Sequence, residues 1–206
     1  MKVTEIYVTI QGEGRLMGSL CTILRLYGCN LQCSTCDQIN AKTHYVNYTL
    51  SQLIQTLSPL PKNVVVTGGE PMLQKHELFQ LIQSTNKTYF LETNGTITDP
   101  QTPNLFQLIT LSPKRNYKKL HEIFKFWVNF DNVDFKFVVG RSEWTWKFND
   151  ILKTVNKYQI PKERVWVMSE GRTAKEIDRY AAKVWDFCVI NGFNYSDRLH
   201  LRVGRK

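Results

Sequence analysis

Residues Asn63 to Thr67 read Asn-Val-Val-Val-Thr and stop at Gly68-Gly69. A short run that is apolar on both faces reads as a buried strand of the parallel type, covered above and below and ending in a tight turn. The rest of the chain fits such a sheet. Strand patterns occupy residues 3–10, Cys21 to Leu26, Tyr89 to Glu92, Leu108 to Ser112, Val133 to Val139, Arg164 to Met168 and Arg198 to Val203. Between them lie helical stretches. One opens at the capping box Thr49-Leu50-Ser51-Gln52, one runs from Gln74 to Ser84, and one from Trp144 to Lys157. Another opens at a second box, Thr173-Ala174-Lys175-Glu176. It carries Ile177, Tyr180, Ala181, Val184 and Cys188 on one stripe and ends at Gly192. Alternating strands and helices predict an α/β fold with ligands at the carboxyl edge of the sheet. At 206 residues there are too few units for an eightfold barrel, so the expectation is an open, partial TIM-like barrel, reduced in helices, in a single domain over 1–206. Asp99 to Asn104 and Tyr117 to Asp131 carry no clear pattern.

Directly after the Cys21–Leu26 strand comes Gly28-Cys29-Asn30-Leu31-Gln32-Cys33-Ser34-Thr35-Cys36-Asp37. Three thiols spaced C-x3-C-x2-C on one loop select a soft metal, zinc or an iron–sulfur cluster. Four cysteines would close a cubane cluster; three leave one iron open for a substrate or cofactor, the pattern of a catalytic site. His44 keeps a Cys3His zinc site in play, although no second zinc knuckle accompanies it. A disulfide framework fits poorly with five cysteines, three of them crowded together, and Cys21 and Cys188 read as buried small apolar residues.

The formal charge of +9 suits an anionic substrate, a nucleic-acid partner or a merely basic surface. Lys114, Arg115, Lys118 and Lys119 form the densest basic stretch, with no nucleic-acid-binding signature beside them, and a solvated surface is the reading taken. Met1-Lys2-Val3-Thr4-Glu5 has no apolar signal core and no run is long enough to span a bilayer. With thiols meant for a metal, the expectation is a reducing cytoplasm.

The loop resembles that of radical S-adenosylmethionine enzymes, and the chain around it resembles the 7-carboxy-7-deazaguanine synthase family of the queuosine-precursor pathway. The resemblance runs through Gln11-Gly12-Glu13-Gly14, Arg25-Leu26-Tyr27-Gly28-Cys29-Asn30-Leu31, Thr67-Gly68-Gly69-Glu70-Pro71, Glu92-Thr93-Asn94-Gly95 and Ser112-Pro113-Lys114. It continues through Asp134 to Val139, Met168-Ser169-Glu170-Gly171 and Arg198-Leu199-His200. It implies a reduced radical-enzyme barrel in which Cys29, Cys33 and Cys36 hold one 4Fe-4S cluster. The bound S-adenosylmethionine would be split to an adenosyl radical that abstracts hydrogen at C6 of 6-carboxy-5,6,7,8-tetrahydropterin. Ring contraction with loss of ammonia would follow. Implied partners are an electron donor such as flavodoxin and a second copy in a homodimer; membrane and nucleic acid are not expected. Alternative functions are a radical activase of another protein and a zinc module on nucleic acid.

The resemblance also implies roles for single residues. Thr35 and Asp37, read from their place beside the cysteines, either touch the cofactor or shape the loop. Gly68, Gly69 and Glu70 take the methionine amino group, Glu92 and Asn94 the ribose, and Ser112, Pro113 and Lys114 a further part of the cofactor site. Ile10, Gln11, Gly12 and Glu13 lie at the substrate. The physical reading agrees in kind: a carboxylate such as Glu13 matches the paired N–H donors of a pterin edge. Arg25, on an otherwise apolar strand, needs a partner, either a substrate carboxylate held by two hydrogen bonds or an internal ion pair; the clamp is the reading taken. Thr67, just before the glycines, is also expected to face the substrate. Asp134 and Lys136 share a strand face, where they either line the site or neutralise each other; neutralisation is the reading taken. One departure stands out. Where the family commonly has Cys-Asp-Thr with threonine on magnesium, this chain has Cys36-Asp37-Gln38, which puts a magnesium requirement in doubt.

Overall fold

The computed structural model describes residues 1–34, 36, 38 and 43–205. The chain forms two compact units, the first made of Met1–Thr9, Leu20–Thr93 and Ile97–Ile109, the second of Ile10–Ser19, Asn94–Thr96 and Thr110–Lys206.

In the first unit the strands are β1 (Lys2–Ile10, whose last residue belongs to the second unit), β2 (Leu20–Leu26), β3 (Val46–Asn47), β4 (Asn63–Gly68), β5 (Thr88–Thr93) and the start of β6 (Leu108–Leu111). Their order is β3-β1-β2-β4-β5-β6. Strands β2, β4 and β5 are parallel, while the short β3 pairs antiparallel with β1. Val64, Val65 and Val66 are at most 1% exposed, as an all-apolar parallel strand requires. The helices are α1 (Leu50–Leu57), α2 (Lys75–Gln83) and α3 (Thr102–Leu105). Thr49 and Gln52 close the expected reciprocal box at the start of α1, and α1 buries Leu53 and Leu57.

In the second unit β6 continues into the order β6-β7-β8-β9, with β7 (Val133–Val139), β8 (Val165–Ser169) and β9 (Asn194–Ser196) parallel. Its helices are α4 (Leu120–Trp127), α5 (Phe148–Tyr158), α6 (Ala174–Asn191) and α7 (Leu199–Arg202). Here the core is aromatic. Phe124 of α4 stacks on Phe135 and Phe137 of β7, and Trp146 stands edge-on to Phe137. Cys21 and Cys188 are buried as expected, and burial pushes the Cys188 thiol up to about 12. Among the described residues no helix is long and apolar enough to cross a membrane.

Several sequence expectations shift. The last strand lies at Asn194–Ser196, and Leu199–Arg202 is helical rather than extended. Asp197 explains the turn: its carboxylate accepts from the Arg198 amide at 2.8 Å and from Arg202 Nε at 2.9 Å. Helix α5 starts at Phe148, not Trp144, because Trp146 donates its amide to the Val138 carbonyl and Thr145 closes a turn on Ser142. The second capping box is half made. Thr173 accepts from the Glu176 amide, but the Glu176 carboxylate takes the Arg172 amide instead. Arg164 falls in a turn before β8, where its Nε donates to the Val133 carbonyl. Within the patternless segments, α3 begins with Pro103 in its first turn and α4 forms on its apolar stripe of Ile123, Phe124 and Trp127.

Candidate functional site

In the first unit the cysteine loop leaves the end of β2 beside the turn after β4. The Glu70 amide donates to the Gly28 carbonyl at 2.7 Å and the Gly69 amide to the Leu26 carbonyl at 3.2 Å. A Cβ on Gly69 would lie 2.0 Å from the Gly28 oxygen, so the glycine is needed for the chain's own close approach at this point, whatever ligand sits there. Glu70 is fully buried. Its Oε1 accepts from the Met72 amide at 3.0 Å and from Thr93 Oγ1 at 2.7 Å, which fixes the carboxylate rather than leaving it to swing. Arg25 and Thr67 are register partners on β2 and β4 and so share a sheet face. Thr67 Oγ1 donates to Glu92 Oε2 at 2.9 Å. Arg25 donates from Nε to Glu5 Oε2 at 2.8 Å and from a terminal nitrogen to the Tyr7 hydroxyl at 3.2 Å. Burial works against its charge, but Tyr7 and Glu5 outweigh that and raise its pKa.

Cys29, Cys33 and Cys36 are partly exposed thiols, and the Cys36 amide donates to the Cys33 carbonyl. Thr35 and Asp37 lie outside the described residues. Gln38 is partly exposed. Among the described residues no three His, Cys, Asp or Glu side chains gather closely enough for a single ion. Three thiol donors on one loop suit a cubane, which takes one thiolate at each of three iron corners and leaves the fourth open.

In the second unit the turn after β1 is held from several sides. Gln11 Oε1 accepts from the Gly12 and Glu13 amides at 2.7 and 3.3 Å, and the Gly14 amide donates to Ser196 Oγ at 2.9 Å. Leu199 donates its amide to the Gly12 carbonyl, and a Cβ on Gly12 would lie 2.0 Å from His200 Nδ1. Ile10 is 44% exposed. Glu13 pairs with Lys136 Nζ at 2.6 Å and Arg198 Nε at 3.3 Å. Burial favours its neutral form, but Lys136 and Arg198, aided by His200, hold its carboxyl at about 2. Asp134 is taken by Arg15, through two hydrogen bonds of 2.8 and 2.6 Å. Thus Asp134 and Lys136 do not simply neutralise each other; both reach the Gln11–Arg15 turn. Asn94 Oδ1 accepts from the Thr96 amide and hydroxyl, and Pro113 offers its carbonyl to Trp146 Nε1. Ser112 and Lys114 are partly exposed.

Sequence reasoning quoted Met168 to Gly171 without giving it a task. At the carboxyl end of β8, Ser169 Oγ and Glu170 Oε1 are buried with no hydrogen-bond partner among the described residues. Buried polar atoms usually have a partner; the buried hydroxyls of Thr4, Thr22 and Thr102 also lack one among the described residues, and what distinguishes this adjacent pair is its place at the end of a parallel strand, where ligands bind in such folds. The available signal was position, the end of a parallel strand.

The chain is 32% identical to a 7-carboxy-7-deazaguanine synthase from Hyperthermus butylicus, over 98% of this chain and 92% of that protein. The chain belongs to the 7-carboxy-7-deazaguanine synthase family. A second synthase of that name, from Pyrobaculum aerophilum, is 29% identical over 98% of this chain and 93% of its own length. The family profile described as a 4Fe-4S single cluster domain matches residues 10–124. Among solved structures, QueE from Escherichia coli superposes with a TM-score of 0.71 at 22% identity, over 97% of this chain and 94% of that one. The protein anSMEcpe, solved with bound AdoMet, superposes with a TM-score of 0.56 at 17% identity, over 88% and 65%. The chain therefore has the fold of these structures, and the open α/β sheet expected from the strand pattern is the one found.

Proposed function

We propose that this chain is a radical S-adenosylmethionine lyase that converts 6-carboxy-5,6,7,8-tetrahydropterin to 7-carboxy-7-deazaguanine with loss of ammonia. The observation that carries it is near-full-length similarity to synthases of that name together with three thiols on the loop after β2. Cys29, Cys33 and Cys36 hold the 4Fe-4S cluster. Cluster and S-adenosylmethionine together supply the adenosyl radical when bound. The chain's own residues bind, orient and exclude water. Gly68, Gly69 and the fixed carboxylate of Glu70 form the edge that receives the methionine amino group. Glu92, Asn94, Ser112, Pro113 and Lys114 complete the cofactor contacts, to which Ser169 and Glu170 are added here. Thr35 and Asp37 are assigned to the cofactor by their place beside the cysteines. On the substrate, Arg25 takes the carboxylate, steadied by Glu5 and Tyr7, with Thr67 on the same face. The turn Ile10–Glu13 takes the pterin edge. Gln38, a longer and neutral oxygen donor, replaces the usual threonine, and a magnesium requirement is not part of the proposal. An electron donor such as flavodoxin, a homodimer and a cytoplasmic location complete the reading.

Two measurements test it. Protein purified without oxygen is expected to be brown and to carry about four irons per chain, and Cys33→Ala to lose that iron. A colourless protein holding zinc refutes the reading. Arg25→Ala is expected to keep its iron and to bind 6-carboxypterin at least about tenfold more weakly; unchanged affinity removes Arg25 from the substrate.

A further inference from the structure

The turn Gln11–Arg15 and strand β7 meet through two matched pairs. Glu13 pairs with Lys136, and Arg15 with Asp134. Partners two residues apart in the turn thus meet partners two residues apart on one face of a strand. The two oxygens of Glu13 each have their own cation, Lys136 on Oε2 and Arg198 on Oε1. Lys136 is 5% exposed and sits in the middle of a rigid parallel strand, while Arg198 is tied to the Gly171 carbonyl at 2.8 Å. A carboxylate on a polar turn is thereby oriented by the sheet.

We propose that Lys136 is a positioning residue for substrate recognition, which keeps Glu13 ionised and aimed so that it accepts the paired N–H edge of the pterin. This rests on the reading of Glu13 as a substrate-binding group. A protonated carboxyl presents a donor where the pterin also presents donors, so the match fails unless the proton is kept off. With both cations in place Glu13 stays charged across the whole neutral and mildly acidic range. The charged and titratable groups facing it are Lys136 from β7 and Arg198 and His200 from the segment around α7. Without Lys136, burial acts with only Arg198 and His200 against it, and the carboxyl takes up a proton as the pH falls. His200 gains charge in the same direction, which favours the carboxylate and so cannot produce the loss.

The test uses anaerobically reconstituted protein with S-adenosylmethionine present and no reductant. Affinity for 6-carboxypterin, read from its fluorescence, is followed between about pH 7.5 and about pH 5.5 for wild type, Lys136→Met, Lys136→Arg and Glu13→Gln. The ratio of Lys136→Met to wild-type affinity is expected to fall about tenfold or more across that window, and Lys136→Arg to restore a flat ratio. A ratio that stays constant, whether at unity or uniformly low, overturns the inference, since a merely structural lysine has no pH signature. If Lys136→Met does not fold, Arg198→Met is read in the same way, with a smaller drop expected and a flat ratio again refuting. If Glu13→Gln binds as tightly as wild type, Glu13 does not touch the pterin, and the substrate reading of the turn falls with the inference. If Glu13→Gln loses binding while the ratio stays flat, only the inference falls.

Discussion

Gly69→Ala is expected to lower stability by about 3 kcal/mol or more and to reduce the iron bound per chain. The new Cβ would fall 2.0 Å from the Gly28 carbonyl oxygen and 2.5 Å from its carbon. Both are backbone atoms, so no side chain can rotate away. The turn after β4 and the first residues of the cysteine loop must separate. Separation breaks the hydrogen bonds from the Gly69 amide to Leu26 and from the Glu70 amide to Gly28. Each such bond contributes about 1 kcal/mol, and the buried groups left without partners cost more. Glu70, fully buried and already holding Thr93 and the Met72 amide, cannot follow the movement cheaply. The check is chemical denaturation together with an iron assay. A variant with wild-type midpoint and wild-type iron would show that the loop and the turn do not depend on each other.

Trp127→Ala is expected to cost about 3–5 kcal/mol, the range for emptying a large aromatic site. Trp127 is fully buried, stands edge-on to Phe126 with centroids 5.0 Å apart, and donates Nε1 to the Gly95 carbonyl at 3.0 Å. Its removal leaves a cavity and takes a hydrogen bond from the Gly95 carbonyl. Gly95 adjoins Asn94, so the damage also reaches a residue assigned to the cofactor. Denaturation midpoints against wild type decide it; a loss below about 1 kcal/mol would mean that the neighbouring rings collapse into the space. Trp127→Phe keeps most of the ring volume and loses only the hydrogen bond, and is expected to fall between the two.

Charge at the Gln11–Arg15 turn and charge at Arg25 are handled alike. Each ion proposed to meet the substrate is already bound by the chain, Arg25 by Glu5 and Tyr7, Glu13 by Lys136 and Arg198. An arginine paired in this way is not thereby removed from recognition. Its fork has five donors, and a carboxylate and a hydroxyl that each fix one of them, Glu5 and Tyr7 here, pre-orient the remainder. Binding then loses less side-chain entropy than it would with a mobile arginine.

What the sequence alone determined is local. The three thiols stand within eight residues, the glycines directly follow a Val-Val-Val strand, and the Thr49 box closes over three residues. Those short separations made the cluster loop, the buried parallel strand and the start of α1 legible, because their partners are neighbours in the chain. Tertiary structure decided which charges meet. Lys136 lies 123 residues from Glu13 and Asp134 lies 119 from Arg15, so no spacing rule connects them, and the sequence suggested instead that the two β7 residues would neutralise each other. Arg25 had two possible partners on sequence grounds, and only folding set Glu5 and Tyr7 beside it. The segment Arg198 to Val203 carries a strand pattern, yet Leu199–Arg202 is helical, with the Asp197 carboxylate holding the Arg198 amide and Arg202 Nε and the Gly12 carbonyl receiving the first helical amide. Propensity and pattern speak for the residues close by; an ion buried without its partner is costly wherever that partner lies in the sequence, so pairing over a hundred residues is settled only when the chain folds.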